Sequence, residues 1–197
     1  MDWDIIEPIL IDQIKRKPRF ISGFHEIKNL LTNKSLEVLF DNVDEKRLQT
    51  EFSEWINEIF AKRLPKNVKS LYFGLFSMVD PDDDSEEITT VYFCGPTLTP
   101  QDDDDWACWN DNTFLPENKY LILTDFLIID QNTKLNSDVE GDINVLIFHG
   151  LLNLLIINSF DFLRNSLIAT HKSLYIGSGF DGGDMLVIGK LTESGLK

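Results

Sequence analysis

The chain has 197 residues, 43% of them apolar, and carries a formal net charge of −15 at pH 7. This length predicts one domain with a sizeable core, and the apolar content argues against disorder. The two cysteines, Cys94 and Cys108, are too few for a disulfide framework and form no C-x-x-C pair that would indicate a metal. The acidic amino-terminal residues and the lack of an apolar run of about 20 residues predict a cytoplasmic protein that does not enter the membrane.

The negative charge is concentrated in the later part of the chain. Residues 1–70 carry 12 basic and 12 acidic residues, so the whole excess of acids lies after residue 70. Residues 80–111 hold 11 acids and no base. Such a field repels nucleic acid and anionic lipid, and it attracts basic proteins or metal cations. A solvated surface that only improves solubility is the alternative interpretation.

The first 66 residues predict a layer of helices. Residues 3–17 have a helical pattern that ends before Pro18, and Ser22 is a candidate cap for a short second helix. Another turn of helix is expected over residues 36–40. Asp44 is predicted to cap the clearest amphipathic helix, whose apolar residues recur at three- and four-residue steps and which Pro65 ends.

After this helical layer, the spacing of apolar residues changes to one that is typical of strands. Residues 68–78 are apolar on both alternating sets, as in a central strand, and residues 89–94 are predicted to pair with them antiparallel after an acidic loop. The second loop, residues 95–117, is long enough to indicate function or mobility. Residues 120–129 fit a strand or a helix, and residues 132–140 fit a polar linker. Residues 173–191 predict a hairpin whose turn places Gly182 and Gly183 at positive φ.

Residues 142–169 predict one long helix that is apolar on nearly all sides. Its polar residues, Asp142, His149, Asn153 and Arg164, fall in a single stripe. A helix of this kind is buried on nearly all sides. The sequence therefore predicts a single α+β domain over residues 1–197. Residues 1–66 form a helical layer, and residues 67–197 supply the long buried helix, the acidic loops and an antiparallel sheet of four or five strands.

Motifs for catalysis and for cofactors are incomplete. Residues 177–182 match G-x-G-x-x-G, but a strand follows them where a dinucleotide site needs a helix. The first acidic run has the spacing of a calcium loop without that loop's glycine and final glutamate. Cys94 and His149 are a conceivable catalytic pair, although a cysteine in an apolar strand is more typical of core packing. We expect no catalytic residue, no metal site and no cofactor.

The acidic runs and two neighbouring tryptophans predict a surface for a protein partner. Exposed acids steer a basic partner, and tryptophans are frequent interface anchors. The predicted partner-binding residues are Asp82, Asp83, Asp84, Glu86, Glu87, Asp102, Asp103, Asp104, Asp105, Trp106 and Trp109. Nucleic acid and membranes are not expected as partners, and the oligomeric state is left open.

Three stretches resemble bacterial immunity proteins of polymorphic or contact-dependent toxin systems. They are residues 71–76 (LYFGLF), Trp106 and Trp109 with residues 115–120 (LPENKY), and residues 179–184 (GFDGGD) before an Ile-Gly-Lys strand. The resemblance implies a small, acidic, cytoplasmic α+β protein that neutralises a toxin domain by binding it and has no catalytic residues. The alternative function is a small hydrolase-like or metal-dependent enzyme that uses acids of the loops.

Overall fold

The computed structural model describes residues 3–30, 40–80, 83–133, 143–181, 183 and 185–197. The elements follow one another as α1 (Trp3–Arg16), α2 (Phe20–Leu30), α3 (Glu45–Ala61), β1 (Ser70–Asp80), β2 (Asp83–Cys94), β3 (Tyr120–Leu121), α4 (Thr124–Thr133), a π-helical segment (Ile143–His149) that continues into α5 (Gly150–Ile168), β4 (Leu174–Phe180), β5 (Met185–Thr192) and β6 (Gly195–Leu196).

The prediction of α3 and its cap is confirmed. The Asp44 carboxylate accepts hydrogen bonds from the backbone N–H groups of Lys46 (3.0 Å) and Arg47 (3.1 Å), which the first turn of a helix leaves without partners. The predicted apolar stripe is buried and consists of Leu48, Phe52, Trp55, Ile56 and Ile59. The helix ends at Ala61, before it reaches Pro65.

The predicted start of α2 is wrong, because the helix begins at Phe20 and includes Ser22. The N–H of Phe20 donates to Oδ1 of Asn158 on α5 (3.2 Å), and Nδ2 of Asn158 donates to the carbonyl of Pro18 (3.2 Å). A side chain of a distant helix thus satisfies the helix start, which no local pattern indicates. Of the turn of helix predicted over residues 36–40, only Phe40 lies within the described residues.

In the described residues, six strands form one sheet in the order β3-β2-β1-β4-β5-β6. β1 pairs parallel with β4, and the other pairs are antiparallel. The predicted α+β class is confirmed, but the sheet is mixed and has more strands than expected. Parallel neighbours need a long crossover. The segment between β2 and β4 contains α4 and α5, and it returns β4 beside β1 in the same direction.

The acidic loop predicted between β1 and β2 is mostly strand. β1 continues to Asp80 and β2 begins at Asp83, so Asp83, Asp84, Glu86 and Glu87 lie on β2. Backbone pairing, which does not depend on side-chain polarity, extends the hairpin through the acids until the register shifts between Val79 and Asp80. Asp82 lies outside the described residues.

Residues 120–129, whose pattern fits either a strand or a helix, contain a short strand followed by a helix. Tyr120 and Leu121 form β3 against β2, and α4 begins at Thr124. Of the linker predicted over residues 132–140, the first two residues complete α4, and residues 134–140 lie outside the described part of the chain.

The hairpin of β4 and β5 is confirmed. Gly182 lies outside the described residues, and the φ of Gly183 depends on the carbonyl carbon of Gly182, so the positive φ of both glycines stays a prediction. The described glycines with positive φ are Gly189 (φ 159°) and Gly195 (φ 108°). At Gly189 a Cβ would lie 2.3 Å from the carbonyl oxygen of Lys197, so this position needs glycine for space as well.

The long helix is buried as predicted. Every residue described from Leu146 to Phe160 is buried except Asn158. The first part, Ile143–His149, is π-helical, which the hydrophobic pattern did not indicate. α5 contacts α1, α2 and α3 as well as β4, β5 and β6, so other elements do surround it. Within the described residues, no helix combines the length and the hydropathy that a bilayer crossing requires.

β1 is buried on both faces of the sheet. Leu71, Phe73 and Leu75 belong to the core shared with the helices. The alternate residues Tyr72 and Phe76 point to the opposite face. There they pack in a second apolar cluster with residues of the long loop. We call this second face the loop face.

A buried carboxylate joins α3 to α4. Asp125 has a side-chain exposure of 0%, and its oxygens accept hydrogen bonds from the N–H of Asp44 (2.9 Å) and from Nε (3.0 Å) and Nη2 (2.6 Å) of Arg47. Three donors thus compensate the loss of water around this charge.

We expect Asp125→Ala to lower the free energy of unfolding by about 3 kcal/mol, because it leaves a guanidinium and a backbone N–H without their acceptor. Urea unfolding measures the loss. Asp44→Ala is the matched control at the same helix start and should cost about 1 kcal/mol, as helix caps do. Equal costs for the two variants would contradict the bridging role of Asp125.

Candidate functional site

A pocket of about 570 Å³ lies on the loop face, between the sheet and the long loop. We call it the aromatic pocket. Six aromatic residues, two acids and four smaller residues line it: Tyr72, Phe76, Tyr92, Trp109, Tyr120, Phe180, Asp105, Asp181, Ala107, Cys108, Gly183 and Met185. The ring of Phe180 packs on the helical side of the sheet, 5.9 Å from the ring of His149. A concave apolar site with a few polar groups is the usual form of a ligand site, and this volume lies in the usual range.

Two strand glycines make room for the rings on the loop face. A Cβ on Gly74 would lie 2.0 Å from Cζ of Tyr92, and a Cβ on Gly177 would lie 2.7 Å from Cη2 of Trp106. Glycine inside a strand often marks such a close approach. The two positions therefore allow Tyr92 and Trp106 to approach the backbone of β1 and β4 closely.

Tyr92 is at the centre of the ring contacts. Its ring centroid lies 5.7 Å from Phe76 and 5.5 Å from Trp109, both in edge-on geometry, and 6.0 Å from Tyr72. Edge-on pairs at these distances are favourable. Trp109 and Tyr120 remain 46% and 44% exposed, so the pocket opens to solvent between large rings.

The loop that forms the outer wall is held on the sheet by hydrogen bonds. The carbonyl of Pro96 accepts from the N–H groups of Lys69 (2.9 Å) and Ser70 (3.3 Å), and the Ser70 hydroxyl donates to the carbonyl of Leu98 (2.7 Å). At the other end, Nε1 of Trp55 donates to the carbonyl of Asn118 (2.8 Å). The loop therefore forms a defined wall.

The aromatic pocket carries negative charge and neutral rings. Burial raises the pKa of Tyr72 and of Tyr92 well above the ordinary value, so both phenols keep their protons at neutral pH. Asp105 and Asp181 supply carboxylates. None of the described residues that line the pocket is Lys, Arg or His. The site is thus suited to a ligand with positive charge and an apolar part.

The thiols near the pocket are protonated. Burial raises the pKa of Cys94 to about 12. Burial also raises the pKa of Cys108, and the neighbouring carboxylates Asp105, Asp103 and Asp181 add to the increase. A thiol needs a lowered pKa to act as a nucleophile at neutral pH. The environment of both cysteines opposes that chemistry.

The second acidic run lies beside the pocket. Asp102, Asp103, Asp104 and Asp105 are exposed, and Asp105 reaches the lining. Asp102 has a structural role, because it accepts from Nζ of Lys69 (3.2 Å) and from the N–H of Thr99 (3.0 Å). The bond from Lys69 lowers the pKa of Asp102.

Of the two tryptophans predicted to bind a partner, only Trp109 is accessible. Trp106 is 3% exposed and packs edge-on against Tyr72 at 5.8 Å. The interpretation of Trp106 as a surface anchor is therefore corrected: it fastens the loop to the sheet. Trp109 lies at the rim of the pocket.

The first acidic run lies on the β1–β2 hairpin. Glu87 is exposed and pairs with Val79, three residues beyond Phe76 along β1. For Asp83, Asp84 and Glu86, the structure describes the position of the backbone in β2 but not the side chains. The structure thus brings Asp105 and Trp109 together at the pocket, whereas Glu87 belongs to the hairpin.

Several lining residues were missed in the sequence. They are Tyr72, Phe76, Tyr92, Tyr120, Phe180, Asp181 and Met185. A signal was present in the alternation of Tyr72, Gly74 and Phe76, because a glycine between aromatic residues on one face of a strand predicts a close approach over that face.

Two of the four residues of the predicted polar stripe, His149 and Asn153, form a buried hydrogen-bonded chain with Ser178 of β4, whereas Arg164 is half-buried and Asp142 lies outside the described residues. The Ser178 hydroxyl donates to Oδ1 of Asn153 (2.6 Å), so Nε2 of His149 must be the donor in its contact with the Ser178 oxygen (2.9 Å). All three residues have 0% exposure. Within the described residues Nδ1 of His149 has no partner, which suits a neutral imidazole that is protonated on Nε2.

The conceivable pair of Cys94 and His149 is not formed. Cys94 belongs to the cluster on the loop face. His149 contacts Ser178, which points to the helices. The sheet itself separates the two side chains. No group of three or more metal-binding side chains occurs among the described residues.

The buried imidazole predicts a pH dependence of stability. Burial lowers the pKa of His149 to about 4, against about 6.5 in the unfolded chain. The stability that comes from keeping this group neutral is complete above pH 6.5 and is lost as the pH falls towards 4, because only the unfolded chain binds the proton there.

We expect His149→Gln to flatten this dependence, since the amide can donate to Ser178 as Nε2 does but does not titrate. The wild-type chain should lose about 3 kcal/mol more than the variant between pH 7 and pH 4. Urea unfolding at both pH values measures the difference, and the shared carboxylates cancel in the comparison. Identical pH dependence in the two chains would contradict a neutral buried His149.

The close approach of Tyr92 to Gly74 predicts a second stability effect. Gly74→Ala should cost about 1–2 kcal/mol, because the added Cβ displaces a ring that Tyr72, Phe76 and Trp109 hold in place. The same substitution in a Tyr92→Leu background should cost less. Urea unfolding of the four chains gives the coupling, and equal costs in both backgrounds would contradict the contact.

Comparisons of the chain with models of protein families, with curated protein sequences and with solved structures gave no match, so the function is argued from the site itself.

Proposed function

We propose that this chain is a non-enzymatic acidic binding protein that holds a basic protein partner at the aromatic pocket and the adjoining run Asp102–Asp105. The observation that carries the proposal is the pairing of exposed rings with carboxylates at one opening. Trp109 is nearly half exposed there, and Asp105 lines the same pocket. Large exposed rings surrounded by charge are typical of interface anchors.

The charge distribution supports a basic partner. Residues 80–111 include 11 acids and no base, and the chain as a whole has a net charge of −15. A field of this kind raises the rate of encounter with a cationic protein more than it raises the affinity. Trp109 and the rings beneath it would supply the short-range contacts that slow dissociation.

The biological role that we propose is that of an immunity protein. The resemblance of three stretches to bacterial immunity proteins supports a toxin domain as the partner, and the cytoplasm as the place of action. An acidic surface that covers a basic toxin surface would neutralise the toxin without any chemical step.

The second candidate function is that of an enzyme which uses the two carboxylates of the aromatic pocket. Asp105 and Asp181 both line the aromatic pocket, and paired carboxylates serve as acid and base in hydrolases or as ligands of a divalent cation. This candidate differs from the first in its response to ions. A rise of many degrees in melting temperature with millimolar magnesium or calcium would favour it.

The test of the binding proposal uses the partner that the native chain captures, once mass spectrometry has identified it and it has been purified. Asp103→Asn, Asp104→Asn and Asp105→Asn are combined, and Asp102 is left intact because it binds Lys69. We expect association at low salt to slow about threefold or more and its salt dependence to flatten. Stopped-flow rates at low and high salt measure both effects.

The matched control removes three charges elsewhere, at the exposed residues Asp4, Glu54 and Glu193, each changed to its amide. The control should change the rate less than the first variant, because none of its three charges lines the pocket or belongs to the run Asp102–Asp105. Equal effects of the two triple variants, or a partner without an excess of basic residues, would contradict the proposal.

A further inference from the structure

We infer that the aromatic pocket binds an organic cation, namely a guanidinium or alkylated ammonium group on an apolar stem. This inference rests on the proposed function only for the source of that group, which would be a side chain of the basic partner. The chemistry of the pocket stands on its own residues and applies equally to a free amine.

The rings provide the first part of the recognition. The face of an aromatic ring carries negative partial charge and attracts a cation, most strongly where water is excluded. Tyr72 and Tyr92 are 2% and 6% exposed, and they keep their hydroxyl protons, so they present neutral rings. Trp109, the best type of ring for this contact, stands at the entrance.

The chain already places cations on tyrosine rings. Nζ of Lys119 lies 4.7 Å from the ring centroid of Tyr120, which lines the aromatic pocket. Nζ of Lys190 lies 4.7 Å from the ring of Tyr175 on β4. Both distances are within the range of favourable cation–ring contacts.

The carboxylates provide the second part of the recognition, because they disfavour anionic and neutral ligands. Asp105 and Asp181 both line the pocket, and none of its described lining residues is basic. An anion would meet two like charges without compensation. A neutral ligand would reduce the hydration of both carboxylates without replacing it. A cation is the ligand that offsets this cost.

The volume of the aromatic pocket indicates how large the part of the ligand next to the cationic group is. A pocket of about 570 Å³ is larger than a small ion needs and lies in the range of sites for drug-sized molecules. The apolar side chains of Phe76 and Met185 line the same space. The ligand therefore has an apolar stem, as an arginine or a methylated lysine side chain has.

The experiment compares pairs of probes that differ only in charge, with the full chain in isothermal titration calorimetry and tryptophan fluorescence. Choline is compared with 3,3-dimethylbutan-1-ol, which has carbon in place of the ammonium nitrogen. A blocked arginyl pentapeptide is compared with the same peptide containing citrulline. We expect each cation to bind about tenfold more tightly than its neutral partner.

Three substitutions locate the binding. Trp109→Ala and Asp105→Asn should each weaken the binding of the cation about fivefold or more, whereas Asp104→Asn should change it less than about twofold. Asp104 and Asp105 are exposed neighbours with the same charge, but only Asp105 lines the pocket. The matched pair separates contact in the pocket from general attraction to an acidic surface. Because Trp109 and Asp105 are exposed, these chains should fold, and circular dichroism checks that they do.

The outcomes are distinct. Tighter binding of the arginyl peptide than of choline supports a polypeptide source, and tighter binding of choline supports a free amine. Equal binding of a cation and its neutral partner, no binding of either cation, or equal effects of Asp104→Asn and Asp105→Asn would overturn the inference. Failure here, with the salt-dependent association of the basic partner retained, would leave the proposed function standing. Cation binding without a basic partner would overturn only the proposed function.

Discussion

The burial of β1 on both of its faces is the constraint on which the rest of the structure depends. Phe73 is 0% exposed and its neighbour Tyr72 is 2% exposed, although they point in opposite directions. A strand of this kind needs a cover on each face. The helices supply one cover as a continuous layer. The other is an irregular loop, which covers only part of the face, and the aromatic pocket is the part that it leaves open.

The two covers differ in the chemistry that they permit. On the helical side, Nε2 of His149, the hydroxyl of Ser178 and Oδ1 of Asn153 belong to fully buried residues and bind one another. On the loop side, Asp105 and Trp109 remain exposed next to buried tyrosines. A buried polar chain of the first kind is typical of stability and specificity of packing. A half-exposed group of rings and charges is typical of recognition.

The sequence predicts those parts of the fold that depend on local periodicity. The cap at Asp44, the apolar stripe of α3, the burial of the long helix and the hairpin of β4 and β5 all follow from residues close in the chain. The cap of α2 could not be predicted, because Asn158 supplies it from a distant helix. The parallel pairing of β1 with β4 likewise depends on the path of the chain through α4 and α5. For the site, the sequence shows the charge of residues 102–105 and the presence of tryptophans beside them. It does not show which tryptophan is buried, and burial is what makes Trp106 a support of the loop and Trp109 part of the entrance.

The parallel neighbour of β1 has a consequence for the order of folding. Ser70 pairs with Tyr175, more than a hundred residues later, so the sheet cannot close across its centre until most of the chain has been synthesised. Contacts of such separation are slow to form, because a long loop must be ordered first. In the meantime the hairpin of β1 and β2 has one unpaired edge and two apolar faces, a combination that favours association with other chains. The acids at the tip of that hairpin oppose such association by mutual repulsion. The acidic run at residues 80–87 thus gives the nascent chain a protection against aggregation that is independent of any partner.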